Sequence, residues 1–371
     1  LNRYPGSTDL FVIGGGPAGL AAAIAARQRG LHVTLADCSA PPIDKACGEG
    51  IMPDGIGAAR SLGIPLEDAA GYPFRGIRFV DSGVSVDGDF PHGHGLGVRR
   101  TALHNLMVDR AAAAGVHLLW GARVSGIGNG VVHVDGRAIP AGSIAGADGS
   151  NSTVRRWAGL DAFHRDSRRF AFRRHYSVAP WSEFMEIHWG EGRQIYITPV
   201  GASEVCVVLI SRDQRLRLED ALPHFPEVHR RLGKGAISSR ERGGISVSRR
   251  LRSVVNGRVA LVGDASGSVD AITGEGLCLL FQHAVLLAEA LESGDLASYQ
   301  SAHRRLSRRP ELMADLMLVL DRRQRLRGRA FRALASKPQL FARMLAMHVG
   351  ELSIPDFAAN GLALGWQLLT V

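Results

Sequence analysis

Apolar and polar positions change period several times along the chain, and each change marks an element. Leu10–Ile13 is a short, wholly apolar run of the kind that forms a buried parallel strand. An Ala-rich stretch then reads as a helix to about Arg29, stopped by Gly30, and Leu31–Leu35 reads as the next strand. From Cys38 to about Tyr72 the periodicity vanishes and Gly, Pro and Ala dominate, which predicts a long loop. Long loops inside compact domains are commonly functional. Phe74–Phe90 alternates roughly, through Ile77, Phe79, Val84 and Val86, as two strands of a separate sheet. Helical spacing returns after Val98, with Leu103, Leu106 and Met107 on one face, and ends at Gly115. Strands at Val116–Trp120 and Val124–Ile127 and a small hairpin, Val131–Val134 with Arg137–Ile139, follow.

The pattern changes again between about Phe163 and Ser248. Phe184–Trp189, Gln194–Thr198 and Val205–Ile210 are short strands separated by the turns Gly190-Glu-Gly192 and Gly201-Ala-Ser203. They predict a mostly antiparallel sheet, half covered, whose free face would form the wall of a substrate cleft. A buried strand before Gly263 and a long apolar helix over Leu277–Leu291 come next, and then a helical tail. Its Leu340, Phe341, Met344 and Leu345 recur at helical spacing, and it closes on apolar Leu362–Val371.

Three glycine-bearing corners carry the chemistry. In Gly14-Gly15-Gly16-Pro17-Ala18-Gly19 the chain turns from strand to helix. Gly14 permits the turn, Gly16 lets a pyrophosphate approach the backbone, and Gly19 lets helix and strand pack closely. The helix N-terminus offers free N–H groups to the phosphate, and Asp37, after the second strand, stands where an acid meets an adenosine ribose. At Gly146-Ala-Asp148-Gly149 another strand ends at a corner, with Ser152 placed to cap the next helix. At Gly263-Asp264-Ala265 a third strand ends, with Asp264 able to accept hydrogen bonds from a sugar-like chain. Thr273-Gly274-Glu275-Gly276 then opens the long helix, whose N-terminus suits an anion.

Charge and cysteine content narrow the class. The 44 Lys and Arg against 35 Asp and Glu give a net charge of +9, much of the excess lying in arginines of the last third. No base-reading motif or aromatic platform accompanies it, which argues against nucleic acid. Two readings of the basic tail stay open: a helical cap with a solvated face, or peripheral attachment to an anionic membrane. The four cysteines have no CxxC spacing, so neither a disulfide framework nor a zinc site is expected, and a reducing cytoplasm suits them. His92-Gly-His94 lacks partners at ligand spacing and reads as a polar loop; no metal is expected. The residues before the first strand are polar, so no signal peptide is expected, and no apolar run is long enough to span a bilayer. Cys47, in Cys47-Gly48-Glu49-Gly50, is either an ordinary packed residue or a neighbour of the cofactor ring.

Taken in order, the three corners resemble those of the FAD-dependent oxidoreductases of the para-hydroxybenzoate hydroxylase fold, over roughly residues 8 to 300. Cys47-Gly-Glu-Gly50 and Thr273-Gly-Glu-Gly276 are most similar to the geranylgeranyl-reductase-related branch of that family. The departures are Ala271 where those reductases carry proline, and Ile195–Pro199 without their tryptophan. The resemblance implies an α/β fold: a Rossmann-like FAD-binding domain (1–72, 97–162 and 249–296) interleaved with an antiparallel-sheet substrate domain (73–96 and 163–248), then a C-terminal helical region (297–371). It implies FAD contacts from Gly14, Gly16, Pro17, Ala18, Gly19, Asp37, Cys47, Gly48, Arg100, Val124, Asp148, Gly149, Gly263, Asp264, Gly274, Glu275 and Gly276. With one complete dinucleotide fingerprint, filled by FAD, NAD(P)H is expected to dock transiently as electron donor. The flavin carries the reaction, with Cys47 the candidate beside it. The leading expectation is a cytoplasmic monooxygenase acting on an aromatic, polyketide-like or lipophilic small molecule. The alternatives are a C=C reductase of the geranylgeranyl reductase type and an electron-carrying flavoprotein without substrate chemistry of its own.

Overall fold

A computed structural model describes residues 4–68 and 70–352. The apolar Leu362–Val371 stretch lies outside the described residues.

The first sheet is built on the Thr8–Ile13 strand. Its order is Val255–Asn256, Val259–Leu261, Arg137–Gly146, Thr8–Ile13, Val33–Asp37, His117–Trp120. All neighbours in this row are parallel except the first pair. Parallel strands covered on both faces need apolar side chains throughout, which is why Leu10–Ile13 and Val33–Ala36 are buried at every position. The Pro17–Gln28 helix packs here against the Gly276–Glu292 helix and the Arg100–Ala113 helix. Strands Val124–Gly128 and Val131–Val134 extend from the sheet as an antiparallel flap. The second strand begins two residues later than the apolar pattern implies, because His32 is turned to solvent and bonded to Asp9.

The second sheet runs Ala236–Ile237, Phe163–Ser177, Glu204–Ser211, Arg193–Gly201, Phe184–Trp189, Gly76–Asp81, Val84–Asp89, with Arg242–Leu251 also on Phe163–Ser177. It is antiparallel apart from the pairing of Phe184–Trp189 with Gly76–Asp81. The expectation of a half-covered sheet is corrected. Leu218, Leu222, Phe225, Val228 and Leu232, on short helical turns after the strands, bury Ile195, Ile197, Val207 and Leu209 on the far face. Covered on both sides, these strands lose the alternation that a half-exposed strand shows.

Two other expectations change. The region after Cys38 is no structureless loop: it holds the Gly50–Ile51 strand, the Pro53–Ser61 helix and a 3-10 turn at Leu66–Asp68. Gly55 of that helix packs so closely on Cys278 that a Cβ would lie 2.6 Å from its sulfur. The tail forms helices Leu296–Arg322, Gln324–Ser336 and Pro338–His348. The first lies against Gly276–Glu292, whereas the last two cross the second sheet at Val84–Asp89, so the tail caps both layers. Nor is its basic face wholly solvated. Arg327 is buried among Phe79, Trp189 and Phe331 and donates to Asp81 at 2.8 Å.

Candidate active site

A cavity of about 1110 Å³ lies between the two sheets, at the carboxyl ends of the parallel strands. Every sequence-derived cofactor residue lines it except Gly19 and Glu275.

The fingerprint turn shows what each glycine does. A Cβ on Gly19 would stand 1.8 Å from the Gly14 carbonyl oxygen, so Gly19 serves packing and not the cavity. One on Gly15 would strike the Trp120 ring at 2.3 Å. One on Gly16 would meet nothing within 4 Å, because that position opens onto the cavity. Gly16 is also the N-cap of the Pro17–Gln28 helix and has no side-chain cap, so the first-turn N–H groups stay free for an anion. The turn is pinned from both sides. Gly15 donates its N–H to Asp37 at 2.7 Å, and buried His104 donates Nε2–H to the Gly15 carbonyl at 2.9 Å. The sequence pattern does not single out His104; its signal is one histidine on the otherwise apolar buried face of the helix, among Leu103, Met107 and Ala111. Desolvation lowers its pKa, so it remains a neutral donor.

The other two corners face the same space. Asp148 accepts from the Ser152 hydroxyl and from the N–H groups of Thr153, at 2.7 Å, and Val154, at 3.1 Å. Ser152 caps the helix as expected, accepting from Arg155 N–H at 2.9 Å. The Asp148 carboxylate is therefore occupied in building the corner. Buried Arg155 bonds Asp161, the Ser150 carbonyl and the Ala265 carbonyl, tying the second corner to the third without reaching the cavity. At the third corner Gly263 approaches Ala18 so closely that a Cβ would lie 2.5 Å from the alanine methyl. Asp264 faces Lys45 at 3.2 Å, and both line the cavity.

Opposite these corners, Gly274 (φ +71°) and Gly276 present the start of the Gly276–Glu292 helix to the cavity. Val124 of the flap and Cys47-Gly48 line other parts. Burial pushes the Cys47 thiol up and keeps it protonated, outweighing the N–H that Glu49 donates to its sulfur at 3.3 Å. Arg100 also lines the cavity, and its Nε is buried without a hydrogen-bond partner. A buried donor left open at the wall of a cavity suits an anionic ligand. A cradle at Gly16 that a side chain would fill, uncapped helix N–H groups and this open guanidinium together fit the phosphates of FAD.

Glu49 is the main functional feature that the sequence did not reveal. It holds a left-handed φ of +61°, its Oε1 accepts from Arg100 N–H at 3.1 Å, and its Oε2 lies 2.6 Å from His175 Nε2. With Cys206 these residues form a buried trio of possible metal ligands. Arg173 decides against that reading. Its guanidinium donates to His175 Nδ1 at 3.1 Å, so the ring carries its hydrogen on Nε2 and donates it to Glu49. A fixed cation 3.8 Å from Glu49 already neutralises the carboxylate. The trio is a hydrogen-bonded wall that holds the Cys47 loop against the Arg100 helix.

The second sheet lines the cavity from the other side, with Ala171, Met185, Tyr196, Thr198, Val208 and Ile210. Tyr196 donates to the Ile272 carbonyl at 2.9 Å and is desolvated, which keeps the phenol protonated.

Fold and site define an FAD-dependent oxidoreductase. Residues 7–294 match the family described as FAD binding domain, and the chain belongs to that family. It is 27% identical to a menaquinone reductase of Mycolicibacterium smegmatis over 324 residues, 79% of this chain and 78% of that one. It is 33% identical to a 6-methylpretetramide 4-monooxygenase of Streptomyces rimosus over 173 residues, 41% of each chain. Among solved structures, a flavoprotein/dehydrogenase from Cytophaga hutchinsonii superposes with a TM-score of 0.81 at 16% identity, over 93% of each chain. No helix among the described residues is long and apolar enough to cross a membrane.

Proposed function

We propose that the protein is an NAD(P)H-dependent flavoenzyme that reduces a carbon–carbon double bond in a lipophilic small molecule. The observation that carries this reading is the span of the similarity. The match to a reductase runs through nearly four-fifths of both chains, whereas the match to a monooxygenase stops at 41% of each. The second sheet's wall is mainly apolar, through Ala171, Met185, Val208 and Ile210, which suits a lipophilic substrate, with the unpartnered Thr198 hydroxyl as a polar group on the same sheet.

FAD would supply hydride chemistry to the site. The chain's own part is placement. Gly16, Pro17 and Ala18 at the helix N-terminus hold the pyrophosphate, and Asp37, already fixed by Gly15, keeps lone pairs for the ribose. Arg100 and the Lys45–Asp264 pair bracket the polar chain between the phosphates and the ring. Gly274 and Gly276 open the second helix N-terminus to the cavity, where its N–H groups would stabilise negative charge on a bound flavin. Cys47, protonated and on the cavity wall, stands at the reacting end. A nicotinamide donor docks transiently from the open side, since the only complete fingerprint among the described residues is the one assigned to FAD.

The shorter match supports a second reading, monooxygenation. One experiment separates the two. The flavin is reduced anaerobically with NADPH or NADH and mixed with polyunsaturated isoprenoid compounds. Reoxidation with saturation of a double bond, without oxygen, is the expected result. A product formed only after oxygen is admitted, and carrying an oxygen atom, would replace the first reading with the second.

A further inference from the structure

Behind the turn that meets the cavity lies a buried polar cluster that the reaction described above does not use. Four polar atoms there have no hydrogen-bond partner: Glu275 Oε2, His348 Nδ1, Asp54 Oδ1 and Arg309 Nε. They come from four separate segments: the N-cap of the Gly276–Glu292 helix, the Pro338–His348 helix, the Pro53–Ser61 helix and the Leu296–Arg322 helix. Glu275 and His348 are almost wholly excluded from solvent.

Hydrogen-bond roles determine the protonation of this cluster. His348 Nε2 lies 3.1 Å from the Thr273 carbonyl oxygen. A carbonyl only accepts, so Nε2 carries a hydrogen. In a neutral ring Nδ1 is then a bare lone pair, and it faces Glu275 Oε1 at 3.6 Å. An ionised carboxylate would place acceptor against acceptor in a region without solvent. At 3.6 Å the two atoms are too far apart for a hydrogen bond as they lie; one proton held by the pair removes the repulsion and lets them close to hydrogen-bonding distance. We propose that Glu275 and His348 share a single proton behind the Thr273–Gly276 turn, and that they are positioning residues fixing this turn and its electrostatic field for the flavin.

This rests on FAD occupying the cavity as proposed above. Both pKa directions agree on where the proton sits. Desolvation raises Glu275 well above the usual carboxylate range and lowers His348 to about 4, so the acid is protonated and the ring neutral. The surrounding groups are Arg309, which favours an ionised acid, Asp54 and the Cys278 thiol, which oppose it, and the Thr273 hydroxyl. With Arg309 balancing Asp54, the cluster adds no net charge behind the helix. The consequence concerns the cavity side. A carboxylate at Glu275 would cancel part of the positive potential that the helix N-terminus offers to reduced flavin. It would also repel His348 Nδ1 and loosen the bond to Thr273. A neutral Glu275 leaves the potential whole and the turn closed.

The test uses the full chain with and without FAD. In the loaded protein, the flavin midpoint potential plotted against pH should show an additional fall on the alkaline side in wild type. Glu275→Gln, which donates an N–H to His348 Nδ1 as the acid does, should lose that fall and keep the neutral-pH potential. Infrared difference spectra against Glu275→Gln should show a protonated-carboxyl C=O band at neutral pH, in FAD-free protein as well. His348→Ala should move that band to higher frequency as its acceptor is removed. A potential in Glu275→Gln that follows pH as wild type does, or no protonated-carboxyl band, would overturn the proposal. A band unmoved in His348→Ala would overturn the sharing. Protein that never binds FAD would instead refute the cofactor reading, and the infrared result would still decide the pair.

Discussion

Single residues in the fingerprint separate folding from cofactor binding. Gly16→Val puts a side chain into open cavity, so the apoprotein should fold with a Tm near wild type while FAD content is lost. Gly19→Val drives the same side chain into the Gly14 carbonyl, and overpacking of that kind costs about 3 kcal/mol or more. It should therefore lower the Tm of the apoprotein itself. Differential scanning calorimetry with flavin absorbance checks both, and equal behaviour of the two variants would contradict the geometry. This distinction was only half legible in the sequence. The spacing Gly14-x-Gly16-x-x-Gly19 with Asp37 located the turn and its acid because strand, turn and helix are contiguous. Gly15's need for space against Trp120, and the clamp from His104, depend on residues far along the chain and leave no local pattern. Glu49 was hidden for the same reason: its partners His175 and Arg173 arrive on a strand from the other sheet.

Elements are held to one another by buried polar links, and these set the response to mutation and pH. Arg327 joins the Gln324–Ser336 helix to Asp81 at the end of a strand, both fully buried. Removing one partner leaves an uncompensated charge, so Arg327→Met should cost roughly 3–5 kcal/mol in urea unfolding. Arg327→Met with Asp81→Asn should recover most of it. Full additivity of the two single losses would mean that the ion pair is not coupled. His303 of the Leu296–Arg322 helix stacks on His283 of the neighbouring helix at 4.2 Å and bonds Ser266 at 3.0 Å. Burial lowers its pKa from 6.5 to about 4. The unfolded chain thus binds the proton more readily, and the stability this neutral histidine contributes is complete above pH 6.5 and falls away towards pH 4. The total is roughly 3 kcal/mol at the acid end. His303→Gln should flatten the dependence of the unfolding free energy on pH within that window, and an unchanged slope would show that the stacked pair is not the source. The basic tail illustrates the limit of charge patterning: the sequence counts Arg327 with its exposed neighbours, and only its burial against Trp189 and its bond to Asp81 mark it as internal.

At the scale of the molecule, one cavity joins two sheets and the start of three glycine-bearing corners, so FAD and fold stabilise each other. Saturation at 100 times the dissociation constant should add about 2.7 kcal/mol, read as a rise in Tm that FMN, lacking the adenosine half, does not reproduce. An equal rise with FMN would remove Asp37 and the fingerprint turn from the binding account. The fold class was legible at this scale because the three corners occur in a fixed order. What could not be read was the double covering of the second sheet, since Leu218–Leu232 carries no pattern that ties it to a particular face.

The order of strands in the first sheet has a consequence for biosynthesis. Thr8–Ile13 leaves the ribosome well before its neighbour Arg137–Gly146, and Val259–Leu261, which completes the third corner, follows later still. The Thr273 carbonyl is bonded only once His348 has been made. A growing chain therefore displays its fingerprint long before it can retain a flavin. Contacts this distant in sequence form slowly and leave apolar strand edges open in the interval. Cofactor capture has to wait for the segments that carry Val259–Leu261 and Thr273. Yield in flavin-starved cells should therefore fall through aggregation of chains that have not captured the cofactor, with little accumulation of well-folded apoprotein, and feeding riboflavin during synthesis should rescue more protein than adding FAD to the lysate afterwards.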